Sequence, residues 1–369
     1  MIRVLHVLGK MNMAGIETFI MNIYRNIDRK KVQFDFLVHS NTPGDYDDEI
    51  KALGGYIFYI TPRGKSIRQN KKDLDNFFRS NPEYQIVHQH VSSLSYIKPL
   101  LMAKKNGVKI RIIHAHSTRA ENKMHHILHW INTMSIHKIA THYFTCSDIA
   151  GKWLYGKSQV PMNKVMHINN AIEINKFVFN NDIRQKVRHE YQLTNKFVIG
   201  HVGRFDSAKN HEFIVDVFHE VHKKNKNSIL MLVGKGNLRN IIMQKVETLG
   251  LSNSVRFIEG SLEVYSLMQA MDVFLFPSIF EGLGIVLVEA QAAGLKCIVS
   301  NNVPTKIKMT QNIEFIALEE GEKYWADQVL KCDNGYTREN VTQFIKDAGY
   351  DIYQECRNLQ DFYLNQLDD

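Results

Sequence analysis

The sequence predicts an α/β fold built from two Rossmann-like, doubly wound domains. Short apolar runs rich in β-branched residues alternate with longer amphipathic segments, and this alternation restarts in the second half of the chain. Such alternation is typical of parallel sheets with helices on both faces. The chain has 369 residues, more than the roughly 250 to 300 that one hydrophobic core supports. We therefore expect two domains, with a ligand site in the cleft between them.

Each half of the chain holds five predicted strands. They cover residues 2–8, 34–40, 56–60, 85–90 and 109–116 in the first half, and residues 197–205, 228–236, 254–260, 272–278 and 295–300 in the second. Most of the intervening segments have apolar residues at helical spacing, which predicts helices. The Asn-rich residues 168–180 suit a linker, so the domains are expected to cover residues 1–170 and 171–345. A helix-rich segment follows them.

Composition and charge restrict the class of protein. No run approaches the roughly 18 apolar residues of a membrane span, and the first residues lack the cleavage site of a signal peptide. The four cysteines are widely spaced, which argues against a disulfide framework or a zinc ribbon. We therefore expect a cytoplasmic protein.

The charge is unevenly distributed along the chain. The net charge is +8, and residues 1–170 hold 24 Lys and Arg against 12 Asp and Glu. A basic half of this kind indicates an anionic partner, such as a membrane surface, a phosphorylated substrate or nucleic acid. A solvated basic surface without a partner is the alternative.

Candidate site residues of the first domain follow its predicted strands, because ligands of doubly wound sheets bind beyond the carboxyl ends of the strands. Gly15 begins the first predicted helix, where backbone amides can approach a phosphate. An ordinary strand-to-helix turn is the alternative there. Two further strands end in histidine pairs, His88 with His90 and His114 with His116. Residues two apart share one face of a strand, so each pair can project together.

The histidine pairs leave three interpretations open. A zinc site would need the two strands to lie side by side, with carboxylates behind the imidazoles. Histidines of the core or surface, without a ligand, are the second interpretation. A substrate-facing histidine is the third, and it is favoured for His116, which lies furthest along its strand. No acidic pair at a strand end indicates a metal, so no metal ligand is predicted.

Arg204 and Lys209 lie in the loop GRFDSAKN, which follows a predicted strand of the second domain. An arginine fork and a lysine point charge close to a helix start match a diphosphate. A solvated basic loop is the alternative. The later loop VGKGNLR carries two glycines after a strand, and it is a weak signal of the same kind.

Two carboxylates lie in the stretch FPSIFEGLGIVLVEAQAAG, which otherwise consists almost wholly of apolar and small residues. A buried carboxylate needs a partner, because removing its charge from water is costly. Strand, turn and helix signals place Glu281 at a strand end and Glu289 about one turn into the next helix. The first amides of that helix, from Gly284 onward, can bind a phosphate. Sugar and ribose hydroxyls would satisfy both acids, and pairing with structural lysines is the alternative.

These motifs together resemble a known family. GIET near the start, HAHS in mid-chain, GRFDSAKN, VGKGNLR and the two glutamates of an E-x7-E motif occur in the order found in the retaining glycosyltransferases of family 4. FDFLVHS, INNAIEINKF and LMQAMDVFLFPS are similar to the branch that assembles bacterial capsule and exopolysaccharide. The resemblance covers nearly the whole chain and implies the GT-B architecture. In it, the second domain binds the nucleotide sugar, the first binds the acceptor, and a C-terminal helix of about residues 345–369 packs back on the first.

The resemblance also implies the roles of the site residues. The implied catalytic residues are His116, Glu281, Arg204 and Lys209. The implied nucleotide-sugar contacts are Gly15, Arg204, Lys209, Phe257, Glu281, Gly284, Ile285, Val286 and Glu289. Glu281 would contact the donor sugar, Glu289 the ribose and Phe257 the base. Arg204 and Lys209 would neutralise the departing diphosphate.

The implied reaction moves a hexosyl or N-acetylhexosaminyl group from a nucleotide sugar, expected to be UDP-linked, to a lipid-diphosphate-linked saccharide or another acceptor. Retained anomeric configuration, and no metal or other cofactor, are expected. Basic runs of the first domain and residues 121–138 are expected to contact the anionic inner face of the membrane. Two alternatives stay open: a nucleotide-sugar epimerase or hydrolase of the same fold, and a non-catalytic partner subunit of another glycosyltransferase. Nucleic-acid binding is not expected, because no recognition module is found.

Overall fold

The computed structural model describes residues 1–117, 122–259 and 263–366, and these residues form two compact units. The first unit comprises residues 1–171 and the C-terminal segment from Ile352 onward. The second unit comprises residues Ile172–Asp351. Among the described helices, none has the combination of length and apolar character that crossing a bilayer requires.

The first unit is built on one parallel sheet. Its strands are β1 (Ile2–Leu8), β2 (Val32–Val38), β3 (Ile57–Tyr59), β4 (Ile86–Val91), β5 (Ile110–Ala115), β6 (His142–Thr145) and β7 (Val165–His167). The helices between and beside them are α1 (Gly15–Asn26), α2 (Asp47–Ala52), α3 (Ile67–Ser80), α4 (Lys98–Lys105), α5 (Lys123–Thr133) and α6 (Asp148–Tyr155). The strand order is β3-β2-β1-β4-β5-β6-β7, so the order reverses between β1 and β4.

The second unit repeats this design. Its strands are β8 (Phe197–Val202), β9 (Ser228–Val233), β10 (Val255–Ile258), β11 (Val273–Phe276), β12 (Lys296–Ser300) and β13 (Ile313–Ile316). Its helices are α7 (Ile174–Phe177), α8 (Asn181–Glu190), α9 (His211–Lys224), α10 (Arg239–Thr248), α11 (Val264–Ala270), α12 (Ile285–Ala292), α13 (Gly321–Leu330) and α14 (Thr342–Asp347). The six strands are parallel in the order β10-β9-β8-β11-β12-β13, which reverses between β8 and β11.

Helices on both faces explain why the strands of the second unit are continuous apolar runs. Successive side chains of a strand point to opposite faces. Val198 of β8 belongs to the apolar cluster that also contains α11 and α12. Its neighbours Phe197 and Ile199 belong to the cluster on the other face, with α9 and α13. A sheet buried on both faces therefore needs apolar residues at odd and even positions alike.

The last helix, α15 (Ile352–Asn365), belongs to the first unit. Its buried residues Cys356, Leu359 and Tyr363 join the apolar cluster that includes Phe34 of β2. The hydroxyl of Tyr363 also lies 2.7 Å from Nδ1 of His88. The segment predicted to pack on the first domain began at about residue 345. In the structure α14 belongs to the second unit, and the segment that joins the first unit begins at Ile352.

Three short strands, β6, β7 and β13, did not appear in the sequence pattern. Each has three or four residues and includes positions that are not buried, so none forms the continuous apolar run by which a central strand is recognised. The boundary between the units, at Ala171 and Ile172, lies inside the predicted linker at residues 168–180. Its residues Ile172, Ile174 and Phe177 are buried in the core of the second unit.

A charge network fixes the start of β11. Asp272 accepts hydrogen bonds from the guanidinium groups of Arg184 and Arg188 and from the backbone N–H of Val198, at 2.7 Å. The side chains of Arg184, Arg188 and Asp272 are 21%, 11% and 19% exposed. Because these charges are largely removed from water, each depends on the others for compensation.

We expect Asp272→Ala to lower the free energy of unfolding by about 3 kcal/mol, because the change leaves two poorly solvated arginines without their carboxylate. Asp327→Ala is the matched control. It removes an ion pair with Lys224 in which both side chains are more than half exposed, and such pairs contribute less than about 1 kcal/mol. Denaturant unfolding measures both variants. Equal losses in the two would contradict this role of Asp272.

Candidate active site

The reversal of strand order in the second unit defines the place where a ligand is expected. Ligands of doubly wound sheets bind beyond the carboxyl ends of the two strands at which the order reverses. In this unit those strands are β8 and β11, and the loops that follow them are residues 203–210 and 277–284. Four of the predicted site residues, Arg204, Lys209, Glu281 and Gly284, lie in these two loops.

The loop after β8 is shaped by its own side chains. Asp206 caps a 3-10 turn by accepting from the backbone N–H groups of Ala208 (3.1 Å) and Lys209 (3.3 Å). Its other carboxylate oxygen accepts from Nε of Arg204 at 2.8 Å. The side chain of Arg204 is still 75% exposed. Since this bond uses one of five guanidinium N–H groups, Arg204 can bind an anion with the others.

Lys209 and Glu281 form an ion pair between the two loops. Nζ of Lys209 lies 2.5 Å from Oε1 of Glu281, and the side chains are 18% and 10% exposed. The ammonium also lies 4.8 Å from the ring centroid of Phe276, at the end of β11. The alternative in which the glutamates pair with lysines therefore holds for Glu281. Its partner, however, is the lysine predicted to bind diphosphate.

Backbone contacts hold the same two loops together. The amide of Ile279 donates to the carbonyl oxygen of Ala208 at 2.8 Å. Nδ2 of Asn210 donates to the carbonyl oxygen of Pro277 at 3.2 Å. Asn210 itself adopts a left-handed conformation, with φ 56° and ψ 45°, immediately before α9. These links fix the relative positions of Lys209 and Glu281.

Gly284 turns the chain from the second loop into α12. Its φ of 77° and ψ of 55° lie in the left-handed region that favours glycine. The helix then starts with Ile285 and Val286, whose amides are oriented towards the helix N terminus as in any first turn. Within the described residues, neither amide has a hydrogen-bond acceptor. They are therefore available to an anionic group.

Glu289 lies on α12 among buried apolar neighbours such as Val286, Val288 and Ala290. Burial raises the pKa of its carboxyl to about 7, because the charged form loses its solvation. In the described part of the chain, no side chain or backbone group is hydrogen-bonded to this carboxyl. Among the residues that the structure describes, Glu281 thus has a hydrogen-bond partner and Glu289 has none.

The two glycines of VGKGNLR let a third loop contact the loop after β8. A Cβ on Gly234 would lie 2.1 Å from the carbonyl oxygen of Gly203, and one on Gly236 would lie 2.4 Å from that of Phe205. The amide of Phe205 donates to the carbonyl oxygen of Lys235 at 2.8 Å. The glycines are therefore required for packing behind Arg204, and this role alone accounts for the pattern.

Sequence reasoning did not single out Arg239, although VGKGNLR ends with it. Arg239 begins α10, and its guanidinium carbon lies 5.6 Å from the ring centroid of Phe257, the predicted base contact on β10. Its Nε is buried and has no hydrogen-bond partner among the described residues. An arginine at a helix start after a glycine loop is the signal that could have identified it.

The predicted residues of the first unit follow β1 and β5 in the sequence. Gly15 begins α1, and nothing described lies within 4 Å of the position that a Cβ would take there. His116 follows β5, and its Nε2 lies 2.9 Å from Nδ1 of His90. Burial lowers the pKa of His116 to about 3, so its imidazole is neutral near pH 7. Residues 118–121, which come next in the sequence, lie outside the described residues.

The zinc interpretation meets one of its two requirements. β4 and β5 pair in a register that places His90 opposite His114. His6, His88 and His90 form one group whose ring nitrogens lie within 4.8 Å of one another, and His90, His114 and His116 form a second. No carboxylate of the described residues is hydrogen-bonded to any of these rings. Within the described ranges, the carboxylates expected behind zinc-binding imidazoles are thus not found.

Comparison with known proteins bears on the family. The family model described as "Glycosyl transferases group 1" matches residues 183–317. A protein of Bacillus subtilis (strain 168), "Putative glycosyltransferase EpsF", is 32% identical over 374 residues, which cover 98% of this chain and 96% of that protein. The chain belongs to the group 1 glycosyltransferases. The family resemblance that the sequence motifs indicate is confirmed.

Two further similarities concern a relative and a solved structure. The UDP-Gal:alpha-D-GlcNAc-diphosphoundecaprenol alpha-1,3-galactosyltransferase of Escherichia coli is 24% identical to this glycosyltransferase, over 99% of this chain and 97% of that enzyme. The structure of HepE from Anabaena in complex with UDP-glucose matches with a TM-score of 0.77 at 16% identity, covering 100% of both chains. The structural likeness confirms the predicted GT-B fold with two Rossmann-like domains.

We expect the stability of this glycosyltransferase to fall, relative to its Glu289→Gln variant, as the pH rises from about 4.5 to about 7. Unfolded Glu289 ionises near pH 4.5, whereas the folded state keeps the proton until about pH 7. The folded state therefore binds more protons across this window, and stability decreases with rising pH until the difference levels off above it.

Denaturant unfolding at a series of pH values measures this difference. Glu247→Gln is the control, since Glu247 is exposed on α10, and its curve should run parallel to that of the unmodified protein. A Glu289→Gln curve that is also parallel would contradict the raised pKa of the Glu289 carboxyl in the folded protein.

Proposed function

We propose that this glycosyltransferase transfers a hexosyl or N-acetylhexosaminyl group from a UDP-sugar to a lipid-linked saccharide in bacterial cell-surface polysaccharide synthesis, with retention of configuration. One observation carries the proposal. At the strand-order reversal of the second unit, the loops after β8 and β11 carry a lysine–glutamate ion pair and an exposed arginine, and they lead to helix amides that have no acceptor among the described residues. A nucleoside diphosphate sugar has a chemically suitable group for each of them.

The diphosphate matches the positive groups of the site. Arg204 and Lys209 provide an arginine fork and a point charge, and the first amides of α12 add hydrogen-bond donors at the positive end of the helix dipole. When the diphosphate binds Lys209, Glu281 is released to accept from a hydroxyl of the sugar. Glu289 accepts from the ribose hydroxyls, which gives its unpaired carboxylate a partner.

The names of similar proteins support a UDP-linked donor and a lipid-linked acceptor. HepE was solved in complex with UDP-glucose. The name of the Escherichia coli relative gives UDP-Gal as its donor and a diphosphoundecaprenol-linked sugar as its acceptor. By analogy, the second unit of this chain takes the donor and the first unit takes the acceptor.

Catalysis in this proposal rests on stabilising the leaving group. Breaking the sugar–phosphate bond leaves positive charge on the sugar ring and adds negative charge to the departing diphosphate. Arg204, Lys209 and the α12 amides stabilise that negative charge from fixed positions, which is usually the largest contribution to catalysis. The departing phosphate oxygen takes the proton of the acceptor hydroxyl, which attacks from the same face of the sugar. These groups supply the required positive charge, so the proposal includes no metal or other cofactor.

We expect Arg204→Ala and Lys209→Ala each to lower transfer from UDP-sugar by a factor on the order of 10² or more, because each removes charge stabilisation of the leaving group. The initial rate of UDP release in the presence of acceptor measures the loss. Lys245→Ala is the control, since Lys245 pairs with Asp216 on α9 and lies outside these loops. Near-normal turnover in both site variants would refute their roles.

The product distinguishes this proposal from the two alternatives. NMR of the transferred sugar should show the same anomeric configuration as in the donor. An inverted product would contradict the retaining mechanism. Consumption of UDP-sugar at an equal rate without acceptor would favour a hydrolase or epimerase. Transfer only in the presence of a second glycosyltransferase would favour a non-catalytic partner subunit.

Helix α5 gives the proposed membrane contact a defined surface. Its exposed apolar side chains are Met124, Ile127, Leu128 and Ile131. Their spacing of three or four residues places them on one face of the helix, whereas His129 and Thr133 are its buried side chains. This distribution is the reverse of that in a helix whose outer face meets water. An apolar outer face of this kind suits the interfacial region of a bilayer.

The topology indicates which of the basic segments lies on the same side of the sheet as the start of α5. Helices between parallel strands begin at the carboxyl edge of the sheet and end at its amino edge. The basic segment 66–73 includes the start of α3, and nearby Arg63 lies 3.2 Å from Nε2 of His125 on α5. Segments 29–31 and 103–111 follow helices and lie toward the amino edge. We therefore assign contact with anionic lipid to residues 66–73 and 122–138.

We expect the double change Ile127→Gln and Ile131→Gln to weaken binding to vesicles that contain phosphatidylglycerol by about tenfold or more, because two apolar side chains no longer enter the lipid. Co-sedimentation measures the binding. Ile241→Gln is the control, since Ile241 is an exposed isoleucine of the second unit. Equal binding by all variants, or binding that is indifferent to anionic lipid, would contradict the proposed surface.

A further inference from the structure

Five histidines of the first unit lie together on neighbouring strands. They are His6 on β1, His88 and His90 on β4, His114 on β5, and His116 just after it. The strand register pairs His6 with His88 and His90 with His114. Burial lowers the pKa of all five, so each imidazole is neutral near pH 7. A neutral imidazole has one N–H and one bare nitrogen.

Three of these rings form a hydrogen-bonded chain. Nδ1 of His6 lies 2.9 Å from Nε2 of His90, and Nδ1 of His90 lies 2.9 Å from Nε2 of His116. Each contact needs one proton, and His90 has one proton for its two contacts. The protons therefore all point in the same direction along the chain. Either all three rings carry the proton on Nδ1, or all three carry it on Nε2.

The inner end of the chain distinguishes these two states. Nε2 of His6 is buried and has no hydrogen-bond partner among the described residues. The ring packs against Phe34 and Phe36, at centroid distances of 4.1 and 5.7 Å. With all protons on Nε2, an N–H group would be buried there without an acceptor. With all protons on Nδ1, only a lone pair is unpaired, and proteins bury unpaired acceptors more often than unpaired N–H groups.

We propose that His6 and His90 are positioning residues that hold His116 in the tautomer with its proton on Nδ1. His116 is partly exposed, and its Nε2 is engaged by His90. It therefore offers an N–H donor, and no basic nitrogen, at the carboxyl end of β5. Resting on the proposed function, this means that His116 donates a hydrogen bond to a substrate oxygen. It does not take the proton of the acceptor hydroxyl, which goes to the departing phosphate.

A second histidine pair beside this chain provides a matched control. Nε2 of His88 lies 3.1 Å from Nδ1 of His114, and Nδ1 of His88 lies 2.7 Å from the hydroxyl of Tyr363. This pair contacts His116 by ring packing, because the ring centroids of His114 and His116 lie 4.0 Å apart. Tyr363→Phe thus changes the second pair and leaves the proton order of the first chain intact.

The test is long-range ¹H–¹⁵N correlation NMR on the full chain with ¹⁵N-labelled histidine, with the His116 signals assigned from the His116→Gln spectrum. Protonated and bare ring nitrogens have separate shifts, so the tautomer is read directly. We expect His116 to carry its proton on Nδ1 in the unmodified protein and in Tyr363→Phe. The Nε2–H tautomer in the unmodified protein would overturn the proposal, and this measurement depends on no variant that might misfold.

The His90 variants test the positioning role itself. His90→Leu removes the donor to His116, and we expect the Nδ1–H tautomer to be lost and kcat to fall about tenfold, as for one hydrogen bond. His90→Asn can place an amide N–H where Nδ1 was, and we expect it to restore both. An unchanged His116 tautomer in folded His90→Leu would overturn the proposal.

Two further outcomes distinguish this proposal from a zinc site and from the proposed function. In the first, the purified protein contains stoichiometric zinc, and a chelator changes the NMR shifts of these histidines. That result would show that they form a metal site and not a hydrogen-bonded chain, and it would overturn the proposal. The NMR measurement needs no substrate. An Nδ1–H tautomer in a protein that transfers no sugar would therefore refute the proposed function and leave the assignment of the histidine chain standing.

Discussion

The ion pair between Lys209 and Glu281 joins the two loops on which the candidate active site depends. A glutamate in an otherwise apolar stretch needs a partner, because a poorly solvated charge without one is costly. In this structure Lys209 is that partner. In the proposed complex the diphosphate takes the lysine and the sugar hydroxyls take the glutamate. The same pair thus stabilises the site without ligand and places opposite charges where a nucleotide sugar needs them.

The sequence pattern predicted the central strands and the order of the loops, since strands buried on both faces are continuous apolar runs. Short edge strands such as β7 and β13 lack such runs, so no local signal identified them. The boundary between the units lies inside the predicted linker at residues 168–180, but the polar residues there alternate with Ile172, Ile174 and Phe177, which are buried by the second unit. Composition alone does not show which residues of a mixed segment are buried.

Within the site, residue types were predictable and their pairings were not. Lys209 and Glu281 are 72 residues apart, and only the parallel order of β8 and β11 brings them together. Arg239 could not be predicted from a motif, since the one sequence feature that pointed to it was its position at the end of the loop VGKGNLR. In the first unit, alternation along a strand predicted that His88 and His90 share one face. The register between neighbouring strands could not be predicted, because no local motif determines it. His6 is the one histidine of β1, and no sequence pattern pointed to it. It is nevertheless the inner end of the hydrogen-bonded chain that leads through His90 to His116.

The exchange of Lys209 from Glu281 to a diphosphate is tested most directly by a double-mutant cycle, with UDP titrated calorimetrically into the unmodified protein, Lys209→Met, Glu281→Gln and the double variant. We predict that Lys209→Met weakens UDP binding by about tenfold or more in both backgrounds, as for a charge-assisted bond. Glu281→Gln alone should leave binding equal or tighter, because the lysine is no longer held by a carboxylate. Unchanged UDP binding in Lys209→Met would contradict the exchange and make the pair purely structural.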